Sequence, residues 1–90
     1  MTTRITNANL EGKIRSVNTL LGNDPDAPYS TIGLVHLYGA YGMTGVHRYA
    51  NEHGGVSDLM GNLGTKREVA TFLDGMITAL RITQETTTTP

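Results

Sequence analysis

Apolar residues recur along this chain with two different periods. From Ala8 to Leu21, the residues Leu10, Ile14, Val17 and Leu21 follow at steps of four, three and four, lining one face of an amphipathic helix. Asn7 or Asn9 is expected to cap its start and Arg15 and Asn18 to fall on its other faces. Gly22, with Asn23 and Pro25 behind it, is expected to end it. A second helical pattern runs through Val69, Phe72, Leu73, Met76, Ile77 and Leu80, preceded by Thr65 and Glu68 at capping-box spacing. Between the helices, Asn23 to Pro28 reads as an exposed loop. The run YSTIGLVHLYGAYGMTGVHRYANEHGGVSDLM then places β-branched and aromatic residues between closely spaced glycines, the pattern of antiparallel strands with tight turns. Strands are expected at Thr31 to Tyr38, Thr44 to Ala50 and, as a short edge, Val56 to Met60.

Alternation in the first strand puts Ile32, Leu34, His36 and Tyr38 on one face and Gly33, Val35 and Leu37 on the other, so neither side is cleanly polar. In the second, Val46 and Arg48 oppose His47 and Tyr49. The pattern predicts an α+β domain of order α-β-β-β-α, a three-stranded antiparallel meander with two amphipathic helices over residues 1–82. Residues 83–90, with five Thr and a terminal Pro and no apolar side chain, are expected to form a disordered tail.

Ninety residues of which 38% are apolar supply one small core and no more. Burial at this size only narrowly exceeds chain entropy, so a homo-oligomer is expected. The chain has no Cys, which excludes disulfides, thiolate metal sites and cysteine nucleophiles and fits a reducing, cytoplasmic setting. Its apolar runs are too short to cross a membrane, and Met1 to Leu10 lack the hydrophobic block of a signal peptide. Seven Lys and Arg against eight Asp and Glu give a net charge of −1, which lacks the broad positive footprint of a duplex-DNA binder.

Candidate chemistry concentrates in two places. Seven glycines lie between Gly39 and Gly64, and GAYGMTG holds more of them than a two-residue hairpin requires. Tyr41 on that turn can stack on a planar ring while turn amides face anionic oxygens. The competing reading packs Tyr38, Tyr41 and Tyr49 into the core or an oligomer interface. In GTKRE, Lys66 and Arg67 stand at a helix start, where they oppose the helix dipole. That placement makes sense beside a bound phosphate or carboxylate, or simply as solvated charge. The string GNLGTK has the wrong order for a phosphate-binding loop, and Gly39, Gly42 and Gly45 lack the strand-then-helix context of a dinucleotide fingerprint. His36, His47 and His53 with Glu52 and Asp58 show no metal-site spacing, and Ser57 lacks a nucleophile elbow. Neither a metal, a cofactor nor catalysis is expected.

The run from Gly39 to Leu80 resembles a group of small proteins encoded by bacteriophages and prophages. The resemblance rests on the Ala-Tyr-Gly turn, a basic residue in the next strand, Asn-Glu-x-Gly-Gly-Val, and Lys-Arg-Glu opening the final helix. Met43 stands where the turn usually has a second Gly. The functional analogy is to the first class of anti-Thoeris sponges, oligomers that sequester cyclic ADP-ribose-type immune signals and, in some members, cyclic oligonucleotides. The resemblance implies a stacking aromatic, an Asn and Arg residues around a nucleotide, types matched by Tyr41, Asn51, Arg67 and Arg15. The expectation is a phage anti-defence protein of the host-cell cytoplasm that captures a small phosphorylated nucleotide without cleaving it. Tyr41 would stack on a base, Asn51 read a polar edge, and Arg48, Lys66 and Arg67 pair with phosphates. The alternative expectation is an interaction protein that binds and redirects a host protein.

Overall fold

A computed structural model describes residues 4–28 and 30–88. The order is α1 (Asn7–Leu21), β1 (Val35–Ala40), β2 (Met43–Tyr49), β3 (Val56–Asp58) and α2 (Lys66–Thr88). The fold is α+β, with an antiparallel sheet of strand order β1-β2-β3. No helix among the described residues is long and apolar enough to cross a membrane.

Both helices are fixed by their ends. α1 is capped by Thr6 rather than by Asn7 or Asn9. Thr6 is extended (φ −105°, ψ 164°), its hydroxyl accepts from the Asn9 amide at 3.2 Å, and Asn9 Oδ1 accepts from the Thr6 amide at 3.0 Å. An Asn thus fills the third helical position of a reciprocal box usually closed by Glu or Gln. Gly22 ends the helix at φ +84°, in the left-handed conformation that glycine adopts without steric cost. At α2 the sequence pattern holds. The Glu68 amide donates to Thr65 Oγ1 at 3.2 Å and the Thr65 amide to Glu68 Oε1 at 2.9 Å.

The hydrogen bond from the Thr65 backbone, then that from its side chain, holds the Glu68 carboxyl below its ordinary range. A depressed folded pKa means this contribution to stability is present above the ordinary carboxylate value and lost as pH falls through the folded one. Thr65→Ala is expected to cost about 1 kcal/mol and lower Tm by about 4–8 °C. Thermal unfolding checks the loss, and an NMR titration should show the Glu68 pKa moving back up.

The strand boundaries differ from the sequence pattern for a local reason. Gly33, at φ +89°, closes a turn in which the Leu34 amide donates to the Thr31 carbonyl at 3.1 Å. Gly33 and Leu34 together then oppose Tyr49. The Gly33 amide donates to the Tyr49 carbonyl at 2.9 Å, and the Tyr49 amide donates to the Leu34 carbonyl at 3.0 Å. This is a glycine bulge, and it delays the regular strand to Val35, leaving Ile32 63% exposed instead of on a strand face. β2 runs one residue ahead of its expected span, and β3 stops at Asp58, whose Oδ1 accepts the Met60 and Gly61 amides.

α2 continues to Thr88, so the expected tail is helical from Thr83 through Thr88, while Thr89 and Pro90 lie outside the described residues. No Gly or Pro interrupts this stretch before Pro90, and the Gln84 side chain donates to the Leu20 carbonyl at the end of α1. An anchored turn keeps a Thr-rich segment helical despite its weak propensity.

Both helices pack on one face of the sheet. Leu10, Ile14 and Val17 of α1 meet Val35, Val46, and Val69, Ala70 and Leu73 of α2. Lys13 and Asp74 pair across the two helices at 2.6 Å. The opposite sheet face carries Tyr38 and His36 from β1 and His47 and Tyr49 from β2. The Tyr38 ring stacks on His47 at 4.6 Å and His36 on Tyr49 at 4.3 Å, and the two imidazoles meet edge-on at 5.7 Å.

Asn18 is the one polar residue buried in this structure among those described, at 2% exposure, and it lies on the packed side of α1 rather than away from it. Its Nδ2 donates to the Val35 carbonyl at 2.9 Å and its Oδ1 accepts from the Val35 amide at 2.8 Å. One carboxamide thereby imitates a neighbouring strand and satisfies both backbone groups of a buried residue. Asn23, in the segment expected to be merely exposed, donates to Asn18 Oδ1 at 3.2 Å and to the Gly33 carbonyl at 2.8 Å.

Candidate functional site

The glycine-rich turn and the start of α2 are tied together by backbone. Thr44 and Gly64 exchange both hydrogen bonds, at 2.9 and 2.7 Å, so the chain just before α2 continues the sheet where β3 has already ended. Two bare backbones permit the approach. A Cβ at Gly64 would lie 3.2 Å from Glu68 Cβ, and one at Gly45 would lie 3.0 Å from Leu63 Cδ2. The bridge brings residues distant in sequence to one place.

There an open cleft of about 580 Å³ is lined by Arg4, Ile5, Gly42, Met43, Thr65, Lys66 and Arg67. Ile5 and Met43 supply apolar wall and Thr65 a hydroxyl. Three of the chain's seven Lys and Arg lie here, and no carboxylate or imidazole is among the described lining residues. Glu68, in the same helical turn, is folded back on the Thr65 amide instead. Helix geometry adds to the positive field, because the amides of a first turn point out of the N-terminal end. The cations, with an uncharged hydroxyl and apolar wall beside them, supply the charge and donors that suit an anion.

Tyr41 sits on the adjoining turn at φ +55°, followed by Gly42 at φ +73°, and is 96% exposed. Left-handed backbone at both central positions is what a two-residue hairpin turn needs, and a non-glycine residue there is uncommon. The reading that buries Tyr41 in the core of the chain is therefore excluded, whereas Tyr49 is 9% exposed and Tyr38 44%. Tyr41 itself is not among the cleft's lining residues, which take up this turn at Gly42 and Met43.

Of the six residues expected at a ligand, Lys66 and Arg67 line the cleft, Tyr41 precedes its lining residue Gly42 on the turn, and three lie elsewhere. Arg15 is bound to Asp26, with Nη1 to Oδ1 at 2.7 Å. The hydrogen bond, then the charge attraction, raises the pKa of Arg15 and holds that of Asp26 below its ordinary range. Arg48 lies near the far end of β2, and its Nε donates to the Gly33 carbonyl at 3.0 Å, buttressing the bulge. Asn51 follows β2, roughly 20 Å along the strand from the Tyr41 turn at ~3.3 Å per residue. Its Oδ1 is spent on the His53 and Gly55 amides at 2.9 and 3.0 Å. Arg4 takes a place in the cleft that sequence reasoning missed, since a residue ahead of the first helix carries no periodic signal. No three His, Asp or Glu side chains are grouped to hold a metal ion among the described residues. Set against known proteins, the chain matches no family model, no curated protein and no solved structure.

Proposed function

We propose that this chain captures a small phosphorylated nucleotide, of the cyclic-nucleotide or ADP-ribose class, in the cleft between the Tyr41 turn and the start of α2. The observation that carries the reading is the convergence itself. Three cations, Arg4 and the two at the start of α2, line one cleft with no carboxylate among its described lining residues, and the exposed Tyr41 directly precedes Gly42 of its wall. Tyr41 stacks on the base, the Arg4 and Arg67 guanidiniums grip phosphate oxygens in forks, and Lys66 adds a point charge. Capture rather than cleavage is proposed, with no carboxylate or imidazole among the described lining residues assigned to proton transfer. Held intact in the cytoplasm of an infected host cell, such a ligand is withdrawn from signalling, which is the anti-defence role of a phage sponge.

A second reading, docking on a host protein, draws on the other sheet face, where Tyr38, Met43 and Val56 are each more than 40% exposed.

A thermal-shift screen with cyclic ADP-ribose isomers and cyclic di- and trinucleotides separates the two. A ligand at a hundred times its Kd adds about 2.7 kcal/mol to the folded state, raising Tm by about 10–20 °C. Heat-denaturing the complex should then release the ligand unchanged. A flat screen, or recovery of a cleaved product, overturns the capture reading.

A further inference from the structure

The free edge of β1 is protected at one end and open at the other. The bulge fixes which backbone groups point where. Because Leu34 bonds to Tyr49, alternation turns the groups of His36, Tyr38 and Ala40 toward β2 and those of Val35, Leu37 and Gly39 away from it. The outward groups of Val35 are both taken by Asn18. Beyond it, the Leu37 carbonyl lies 3.2 Å from His36 Nδ1, and the Leu37 amide and both groups of Gly39 have no partner among the described residues. Folded proteins blunt such edges with charge, proline or a bulge. Leu37 to Ala40 contains none of these.

We infer that this edge is an interface for a second copy of the chain, β1 pairing antiparallel with β1 about a two-fold axis at Tyr38. The register is self-selecting. Outward-facing residues must oppose outward-facing residues, so the axis passes through residue 37, 38 or 39. An axis at Leu37 drives Gly39 against Val35, whose groups Asn18 already holds. An axis at Gly39 opposes Leu37 to Tyr41, which has left the strand at φ +55°. An axis at Tyr38 pairs Leu37 with Gly39 twice over and satisfies every open group. It also sets the two Tyr38 side chains directly opposite each other across the pairing, a favourable aromatic cross-strand match. A groove of about 500 Å³ beside the edge is lined on the α1 side by Glu11 and Arg15, with Arg15 already paired to Asp26 of the same groove. The product is a continuous six-stranded sheet with its four helices on one side.

Gly39→Pro tests the pairing selectively. The Gly39 amide points away from β2, so proline removes an edge donor and leaves the β1–β2 ladder whole. Light scattering over a concentration series should give twice the 9.7 kDa of one chain for the wild type and the single mass for Gly39→Pro, with unchanged circular dichroism. Should that variant not fold, hydrogen exchange on the wild type decides. The Leu37 and Gly39 amides must gain protection as protein concentration rises. A monomeric wild type, a dimer that persists in folded Gly39→Pro, or exchange at these amides that ignores concentration each overturns the inference.

Discussion

Asn18→Leu is expected to remove about 3–5 kcal/mol of folding stability, because leucine keeps the branched outline of the side chain and none of its hydrogen bonds. Leucine fills the space, so no cavity term enters, and what remains is hydrogen bonding. The Val35 amide and carbonyl lose their partners while Val35 stays 1% exposed, and each buried unsatisfied backbone group costs about 1–3 kcal/mol. Asn23 loses one of its two anchors as well, loosening the connection that positions the Gly33 bulge. A domain of this length holds about 5–13 kcal/mol in total, so the variant stands near the edge of folding. Urea unfolding should show the midpoint collapse, with Tm lower by at least about 12 °C. A loss below about 1 kcal/mol would mean that water satisfies Val35 and that Asn18 is not the pin of the β1 edge.

Asn18 also shows where the sequence stops being legible. The periods of Leu10–Leu21 and Val69–Leu80 identify both helices because burial of one face is a property of spacing alone, and the Thr65–Glu68 box is local by construction. The glycine-punctuated run yields three strands for the same reason. A polar residue beside Val17 and one turn from Ile14 reads as solvent-facing until the partner, Val35, is known to lie against it. The strand start shifts from Thr31 to Val35 because Gly33 takes a backbone conformation that alternation of side chains cannot register.

The candidate site divides along the same line. Tyr41 on its turn and the cations at the helix start are each visible locally, but only the Thr44–Gly64 bridge ties the chain after that turn to the chain before α2, with Gly42, Met43 and the cations lining one cleft. Arg48 and Asn51 have the right chemistry for a ligand and are claimed instead by the Gly33 carbonyl and by the turn after β2. Residue type proposes a role, and the nearest unsatisfied backbone group takes precedence.

Reversing the charge of the helix start, Lys66→Glu with Arg67→Glu, should abolish the proposed nucleotide capture while leaving the fold as stable or slightly more so. The two effects have opposite signs because the two charges serve different ends. In the free protein each cation opposes the dipole of α2, and an acidic residue in that turn gains about 0.3–1 kcal/mol, which sets a favourable term against whatever local contacts Lys66 and Arg67 give up. In the complex, each charge-assisted bond to phosphate is worth about 1.5–3 kcal/mol, so removing two lowers affinity at least ~100-fold before repulsion is counted. Isothermal titration beside a ligand-free melt reads both quantities from the same sample. Arg15→Ala and Asn51→Ala provide the contrast: their side chains are committed to Asp26 and to the His53 and Gly55 amides, so ligand affinity should stay within about twofold of wild type. Undiminished binding by the reversed pair would move the ligand away from α2. A loss of binding in Arg15→Ala as large as in the reversed pair would place the phosphates in the α1 groove instead.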